Sequence, residues 1–302
     1  MTKKILFLFF LLISFYGFSQ DYKYLPTHTG ELIKHQNYIL SYSEKFEQAQ
    51  WVAYELNASE TTGLIKRADN FRPDPIVKTG SANLNDYKGS GYDRGHLAPA
   101  ADMGFSAAAM SESFYMSNMS PQKPSFNRGI WKNLETQVRN WAKAYDQIYV
   151  VTGAVLKPGL PIIGKNRVAV PEKYYKIIFR EKAGHSDMIA FLMDNKKSDR
   201  PLNSHVVSVD RIEKLTGIDF FPQLPDEVEK TLEAKQSTQN WTFGTYKGKS
   251  QLLVKAKKQT QTKKVKLNTG QCCGKTKNGT QCKRKASTGS RYCWQHKNKG
   301  EA

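Results

Sequence analysis

Tyr92-Asp93-Arg94-Gly95-His96-Leu97-Ala98-Pro99 brings a carboxylate, a guanidinium and a titratable imidazole together beside a glycine, with apolar Leu97 and Pro99 just after. A lone histidine held by one neighbouring carbonyl or carboxylate is commoner than a catalytic one, so His96 gains weight only from its company. Downstream come Met116-Ser117-Asn118-Met119-Ser120-Pro121-Gln122 and Phe126-Asn127-Arg128-Gly129-Ile130-Trp131, then Leu134, Glu135 and Arg139. Upstream lies Arg67-Ala68-Asp69-Asn70-Phe71-Arg72-Pro73-Asp74, too polar and too proline-interrupted for a core element, and better suited to a loop that delivers arginines.

Taken together, these stretches resemble the DNA/RNA non-specific endonucleases, whose ββα-metal finger carries a D-R-G-H motif on a strand and a metal-binding asparagine at a helix start. The resemblance spans Trp51 to Pro225, and the body shows no departure from the motif set. It implies His96 as the general base, its ring oriented by backbone or by Asn118. It implies Asn127 as the Mg²⁺ ligand, with Glu135 hydrogen-bonding the metal-bound waters. Arg67 falls at the family's transition-state arginine, and Arg72 is the second candidate for the substrate. Arg94 and Arg139 are assigned structural or phosphate-positioning roles. Hydrolysis of both DNA and RNA to 5′-phosphorylated products follows from the same resemblance.

The residue chemistry is consistent with those roles. Phosphodiester hydrolysis needs an activated nucleophile, charge neutralisation on the phosphate and a stabilised leaving oxygen. Histidine is the side chain fittest to take a proton from water near neutrality. An asparagine carbonyl is a hard oxygen ligand suited to a largely hydrated Mg²⁺, with Mn²⁺ as a possible substitute. The guanidinium fork matches phosphate oxygens bidentately. Taken singly, Asn127 reads as a helix cap, Glu135 and Arg139 as a solvated i,i+4 pair, and Arg67 and Arg72 as loop charges. No segment reads as a base-reading helix, so cleavage is expected to be weakly sequence-selective.

Charge is distributed unevenly along the 302 residues. Residues 1–245 hold 30 Lys and Arg against 26 Asp and Glu, whereas residues 246–302 hold 16 against Glu301 alone. The body is therefore near neutral, and the tail carries the basic excess. At the other end, Lys3 and Lys4 precede an apolar run from Ile5 to Phe18, with Gly17 and Ser19 at small-residue positions. That pattern reads as a secretory signal, residues 1–19, on an exported protein, periplasmic or secreted. The run is shorter than the ~20 residues of a membrane span, so no stable membrane association is expected after cleavage.

Between the ends, residues 20–245 read as one α+β domain, an antiparallel-rich sheet with packed helices. Tyr38–Tyr42 and Gln50–Leu56 read as a hairpin, and Gln147–Val151 as a buried central strand ended by Gly153. Tyr174–Arg180 and Asp187–Met193 form a second hairpin about Gly184. Ala107–Phe114 is a short helix, Ser208–Leu215 another stopped by Gly217, and Phe220-Phe221-Pro222 closes the body. Trp131, Leu134, Val138, Trp141, Ala142 and Tyr145 recur at helical spacing, predicting a helix over 128–145 capped by Ser125 or Asn127.

All four cysteines lie beyond a Lys-, Gln- and Thr-rich linker, residues 246–269, so none can hold the body together. In residues 270–297, Cys272, Cys282, Cys293 and His296 suit a Cys₃His zinc site, Cys293-x-x-His296 ending the run. The segment resembles small bacterial knuckles ending in Cys-Trp-Gln-His. Cys272 is preferred to adjacent Cys273 because its spacing to Cys282 fits those knuckles better; disulfide pairing is the alternative to zinc. The surrounding Lys and Arg, with Tyr292 and Trp294, suit nucleic-acid backbone and stacking contacts. Two other functions compete with a nuclease: a non-catalytic nucleic-acid binder on the same scaffold, and a phosphodiesterase of small molecules.

Overall fold

The computed structural model describes residues 22–182, 184–244, 270–287 and 292–296. The signal-segment and linker expectations fall outside these residues. Contacts divide the chain into two units, residues 1–246 and 247–302. Among the described residues, no helix is long and apolar enough to cross a membrane.

In the first unit the strands are β1 (Glu31–Lys34), β2 (Ile39–Ser43), β3 (Gln48–Asn57), β4 (Asp93–His96), β5 (Met119–Gln122), β6 (Gln147–Ala154), β7 (Ile162–Ile163), β8 (Val168–Ala169), β9 (Lys173–Lys182), β10 (His185–Asp194) and β11 (Val206–Val207). The helices are α1 (Leu84–Tyr87), α2 (Ala107–Glu112), α3 (Pro124–Phe126), α4 (Lys132–Tyr145), α5 (Val209–Thr216) and α6 (Asp226–Glu233). Seven strands make one sheet in the order β1-β2-β3-β6-β9-β10-β11, with every neighbouring pair antiparallel. The β2–β3 and β9–β10 hairpins are the two expected from the sequence, and β6 lies at the middle of the sheet.

Alternation along the strands gives the sheet two apolar faces. One carries Leu40, Val52, Tyr54, Val150, Ile178 and Phe191 and is covered by Leu134, Val138 and Trp141 of α4 and by Trp131 just before it. The other carries Ile39, Trp51, Ala53, Val151, Tyr175, Ile177 and Phe179 and is covered by Ile212 of α5, Leu232 of α6 and the Phe220–Leu224 segment. Helices on both faces of an antiparallel sheet make a three-layer α+β body. At roughly 1.5–3 kcal/mol for each fully buried large apolar side chain, this double core is the main stabilising term.

Three boundaries depart from expectation. The regular helix starts at Lys132 rather than 128: Asn127–Trp131 is a wider π-type turn in which Gly129 takes φ −104°, ψ −114°. Neither Ser125 nor Asn127 caps it, since the helix start has no side-chain cap and the Asn127 amide is held elsewhere. The body also continues past Pro222, through α6 to Trp241, whose ring packs edge-on against Trp141 at 5.0 Å.

Candidate active site

β4 and β5 form a separate antiparallel pair in which Asp93 faces Gln122, Gly95 faces Ser120 and His96 faces Met119. The chain then runs through α3 and the π-type turn into α4, which gives a strand, strand, helix unit. Gly95 is required by close approach: a Cβ there would lie 2.2 Å from the Gln122 side chain. D-R-G-H thus brings one backbone against a partner strand, with Asp93 and Arg94 half-buried and His96 buried.

A cavity of about 400 Å³ opens over this unit, lined by Arg67, Arg94, His96, Asn127, Arg128, Glu135 and Arg139. An adjoining cavity of about 470 Å³ shares Arg67, Arg94, Asn127 and Arg128. Five of the eight residues expected at the body's site therefore share one cleft with Asn127: His96, Arg67, Glu135, Arg94 and Arg139.

His96 is buried between Phe71 and Phe114, with ring centroids 5.7 and 4.9 Å away in edge-on contact. Its Nε2 is sealed from solvent and has no hydrogen-bond partner among the described residues. Burial, and then the positive charges of Arg67 and Arg94, push its pKa down to about 3. At neutral pH the ring is uncharged, the form a proton acceptor needs.

Asn127 is oriented by Asp93. The Asn127 Nδ2 donates to Asp93 Oδ2 at 2.9 Å, and Arg128 clamps the same carboxylate through Nε at 2.8 Å and a terminal nitrogen at 2.6 Å. Burial alone would raise the Asp93 carboxyl; the Arg128 and Asn127 hydrogen bonds outweigh it and hold it below its ordinary value. With its NH₂ engaged, Asn127 presents its carbonyl oxygen to the cleft. Glu135 accepts no hydrogen bond among the described residues. Burial and the Asp102 charge raise its pKa to about 7 against the pull of Lys176 and Arg139. One amide oxygen and one carboxylate, both hard and both without a protein donor, fit an oxygen-ligated divalent cation.

The arginines separate by geometry. Arg67 lies over the Phe114 ring at 4.7 Å and pairs with Asp69 at 2.6 Å, half exposed at the rim. Arg94 stacks on Phe71 at 4.2 Å and makes no ion pair among the described residues. Arg139 is held by Asp102 at 2.7 Å and by Thr136 at 3.1 Å. Arg72, expected at the substrate, does not line the cleft. Its guanidinium donates to Asn70 O, Ser111 O and Ser111 Oγ and lies over Tyr115 at 4.0 Å, so it fastens the loop instead.

Asn118 is a further correction. Its side chain accepts from Ala98 N at 2.8 Å and donates to Ala98 O and Ser113 O at 2.9 and 2.8 Å. Its three bonds go to the backbone of Ala98, just past His96, and of Ser113, and none reaches the imidazole. It anchors the strand end rather than the ring.

Three groups in or under the site were given no role from the sequence, although Asp93 stands in the opening motif. Asp93 orients Asn127. Asp102, fully buried, takes bonds from Tyr54 at 2.7 Å and from Arg139. Lys176, also fully buried, stands opposite Thr152 on β9, donates to the Thr152 hydroxyl, and sits 5.2 Å from the Trp131 ring. Burial pulls the Lys176 pKa down, and the Glu135 carboxylate pulls it back up. A lysine interrupting the apolar run Tyr174-Tyr175-Lys176-Ile177-Ile178 was the available signal.

In the second unit, Cys272, Cys282, Cys293 and His296 place their ligand atoms within 4.8 Å of one another. Sγ of Cys282 and Cys293 lie 3.9 Å apart, and His296 Nδ1 lies 3.3 Å from Cys272 Sγ and 3.5 Å from Cys293 Sγ. Cys273 is exposed and outside the group, and all four thiols are free. Gly274 makes room for the imidazole: a Cβ there would meet His296 Cγ and Nδ1 at 2.6 Å.

Comparison with known proteins agrees with the geometry of the body. The family described as DNA/RNA non-specific endonuclease matches residues 20–227. The chain is 35% identical over 217 residues to human mitochondrial endonuclease G, covering 67% of this chain and 73% of that protein. It is 36% identical over 216 residues to a nuclease of Nostoc sp., covering 68% of this chain and 77% of that protein. Among solved structures, an endonuclease G bound to its inhibitor superimposes with a TM-score of 0.61 at 33% identity, covering 65% of this chain and 88% of that one. With a matching strand, strand, helix unit and its His96–Asn127–Glu135 cleft, the chain belongs to the DNA/RNA non-specific endonuclease family and is a nuclease.

Proposed function

We propose that the body hydrolyses both DNA and RNA with Mg²⁺, leaving 5′-phosphorylated ends, and that it acts outside the cytoplasm. The observation that carries the chemistry is His96, whose Nε2 has no hydrogen-bond partner among the described residues, in the same cleft as Asn127 and Glu135 side-chain oxygens that accept no hydrogen bond among those residues. His96 takes a proton from the attacking water; the approaching phosphate raises the basicity of a ring that burial and two arginines otherwise depress. Arg67 and Arg94 sit at the mouth, where their planar cations meet non-bridging phosphate oxygens. The Asn127 carbonyl and, through water, the Glu135 carboxylate are the groups to hold Mg²⁺, or Mn²⁺ in its place. When bound, that ion supplies Lewis-acid neutralisation at the phosphate and the 3′ leaving oxygen. Phe71 and Phe114 keep bulk water from the inner side of the imidazole.

Supercoiled plasmid and structured RNA, incubated with protein and Mg²⁺ or EDTA, test this. Both polymers are expected to be cut only with metal, and His96→Ala to lose about 10²-fold or more in rate. Binding without cutting by the unaltered protein, or 3′-phosphate ends on the products, would overturn the proposal. Export is supported by Lys3, Lys4 and the Ile5–Phe18 run. The intact mass of protein recovered from a bacterial host is expected to begin at Gln20 or Asp21; a chain retaining Met1 in the exported fraction excludes cleavage.

For the second unit, Zn²⁺ fits the ligand set. Tetrahedral zinc with Zn–S near 2.3 Å and Zn–N near 2.0 Å sets ligand atoms about 3.8 Å apart for sulfur pairs and about 3.5 Å for sulfur to nitrogen. The distances given above lie close to both. A unit this small has too little apolar core to close without such a tie.

A further inference from the structure

The sequence groups Tyr292 and Trp294 together, and the structure separates them. Tyr292 packs against the cysteine cluster, whereas Trp294 is 73% exposed. The chain has five tryptophans, and the other four, Trp51, Trp131, Trp141 and Trp241, are at most 3% exposed. A solvent-facing indole is out of keeping with how this molecule treats its large aromatics. It is not there to build the small core, because it takes no part in the cluster.

What surrounds it is cationic. Arg284 lies 5.7 Å from the Trp294 ring, and a cavity of about 920 Å³ is lined by Lys277, Lys283, Arg284 and Trp294, with Thr and Gln side chains between and Cys282 and His296 of the cluster at its wall. Residues 270–296 contain six Lys and Arg and no Asp or Glu. A polyanion is drawn to such a surface, and a flat π-face beside it selects among polyanions for one carrying unstacked aromatic rings. A duplex hides its base faces, so an exposed indole is a stacking platform for single strands rather than for duplex.

We propose that the zinc-closed C-terminal module is a single-strand handle, in which Trp294 stacks on an unpaired nucleobase while Lys277, Lys283 and Arg284 meet the flanking phosphates. The choice of nucleic acid as ligand rests on the body being a nuclease; the stacking site itself stands on the module's own geometry. The handle holds polymer independently of the catalytic cleft and so raises the local concentration of cleavable bonds.

The test uses the full-length, zinc-loaded chain carrying His96→Ala and no added Mg²⁺, so that the probe stays intact. Titration with oligothymidylate is expected to quench the solvent-exposed, red-edge component of tryptophan emission, since Trp294 is the exposed indole. Adding Trp294→Ala removes that quench and weakens binding about tenfold, the usual scale for one stacked base; Trp294→Phe restores most of the affinity. Lys283→Ala with Arg284→Ala lowers the salt dependence of log K by about one to two phosphate contacts. Unchanged affinity and unchanged quench in Trp294→Ala would overturn the proposal, as would a blunt duplex that matches the oligothymidylate in quenching. Plasmid cleavage with His96 intact is scored separately. A chain that cuts without quenching overturns the handle, and one that quenches without cutting overturns the reading of the body while upholding the handle.

Discussion

Asp93 shows how much of the site depends on a side chain that touches no reacting atom. An amide group can turn either end toward the cleft, and Asp93 removes the choice: its carboxylate accepts only from NH₂, so the carbonyl of Asn127 is the end presented. Groups that orient a metal ligand in this way typically matter by about 10- to 100-fold in metal affinity or activity. Asp93→Ala is expected to raise the Mg²⁺ concentration for half-maximal plasmid cleavage by about tenfold, with a smaller change in rate at saturating Mg²⁺. Equal metal dependence in the variant and the parent would show that Asn127 is oriented by something else. Lys176 works at the same scale. It is a buried cation beneath Glu135, and the carboxylate's charge is balanced in part from below.

At the level of the element, the arginine-bearing loop is strapped to the sheet by a buried pair. His35 Nε2 lies 2.9 Å from Asp74 Oδ2, and the Ser117 hydroxyl donates to the same oxygen. Burial would raise the Asp74 carboxyl, but these bonds prevail and lower it. A carboxyl whose folded pKa lies below its unfolded value of about 3.9 stabilises the fold above that pH, and the contribution fades as the pH falls through the folded value. The stability difference between the parent and Asp74→Asn, followed by thermal melts, is therefore expected to shrink below about pH 4. A difference constant from neutrality into that acid range would exclude the carboxylate as the strap. The same loop explains Arg72: once Asp74 and the Arg72–Tyr115 bridge fix the backbone, Ser111 and Asn70 lie within reach of its guanidinium.

On the scale of the whole molecule, two units are stabilised by different means. The body has a core on each face of its sheet. Among the described residues, the core of the C-terminal unit is three buried cysteines with Tyr292 packed against them. A strong zinc chelator is therefore expected to abolish hydrogen-exchange protection across residues 270–296 while leaving β6 and β9 protected and the main thermal transition unmoved. Loss of protection in both units on chelation would tie the stability of the body to the module.

Much of this was legible in the chain itself. Period-two alternation marked the hairpins and helical spacing marked α4, because each follows from local geometry, whereas His96, Asn127 and Glu135 were marked together by the resemblance that their motifs carry. The Cys₃His group was also legible, since its ligands lie close in sequence. Tertiary structure decided the rest. Whether Asn127 caps a helix or faces the cleft depends on Asp93, which lies 34 residues away. Whether Arg72 and Asn118 meet substrate or backbone depends on which carbonyls the folded chain brings within reach. That Lys176 sits under Glu135 depends on the pairing of β6 with β9 and the packing of α4 across them. Those outcomes turn on competition among partners distant in sequence, and only a folded chain sets the distances on which that competition runs.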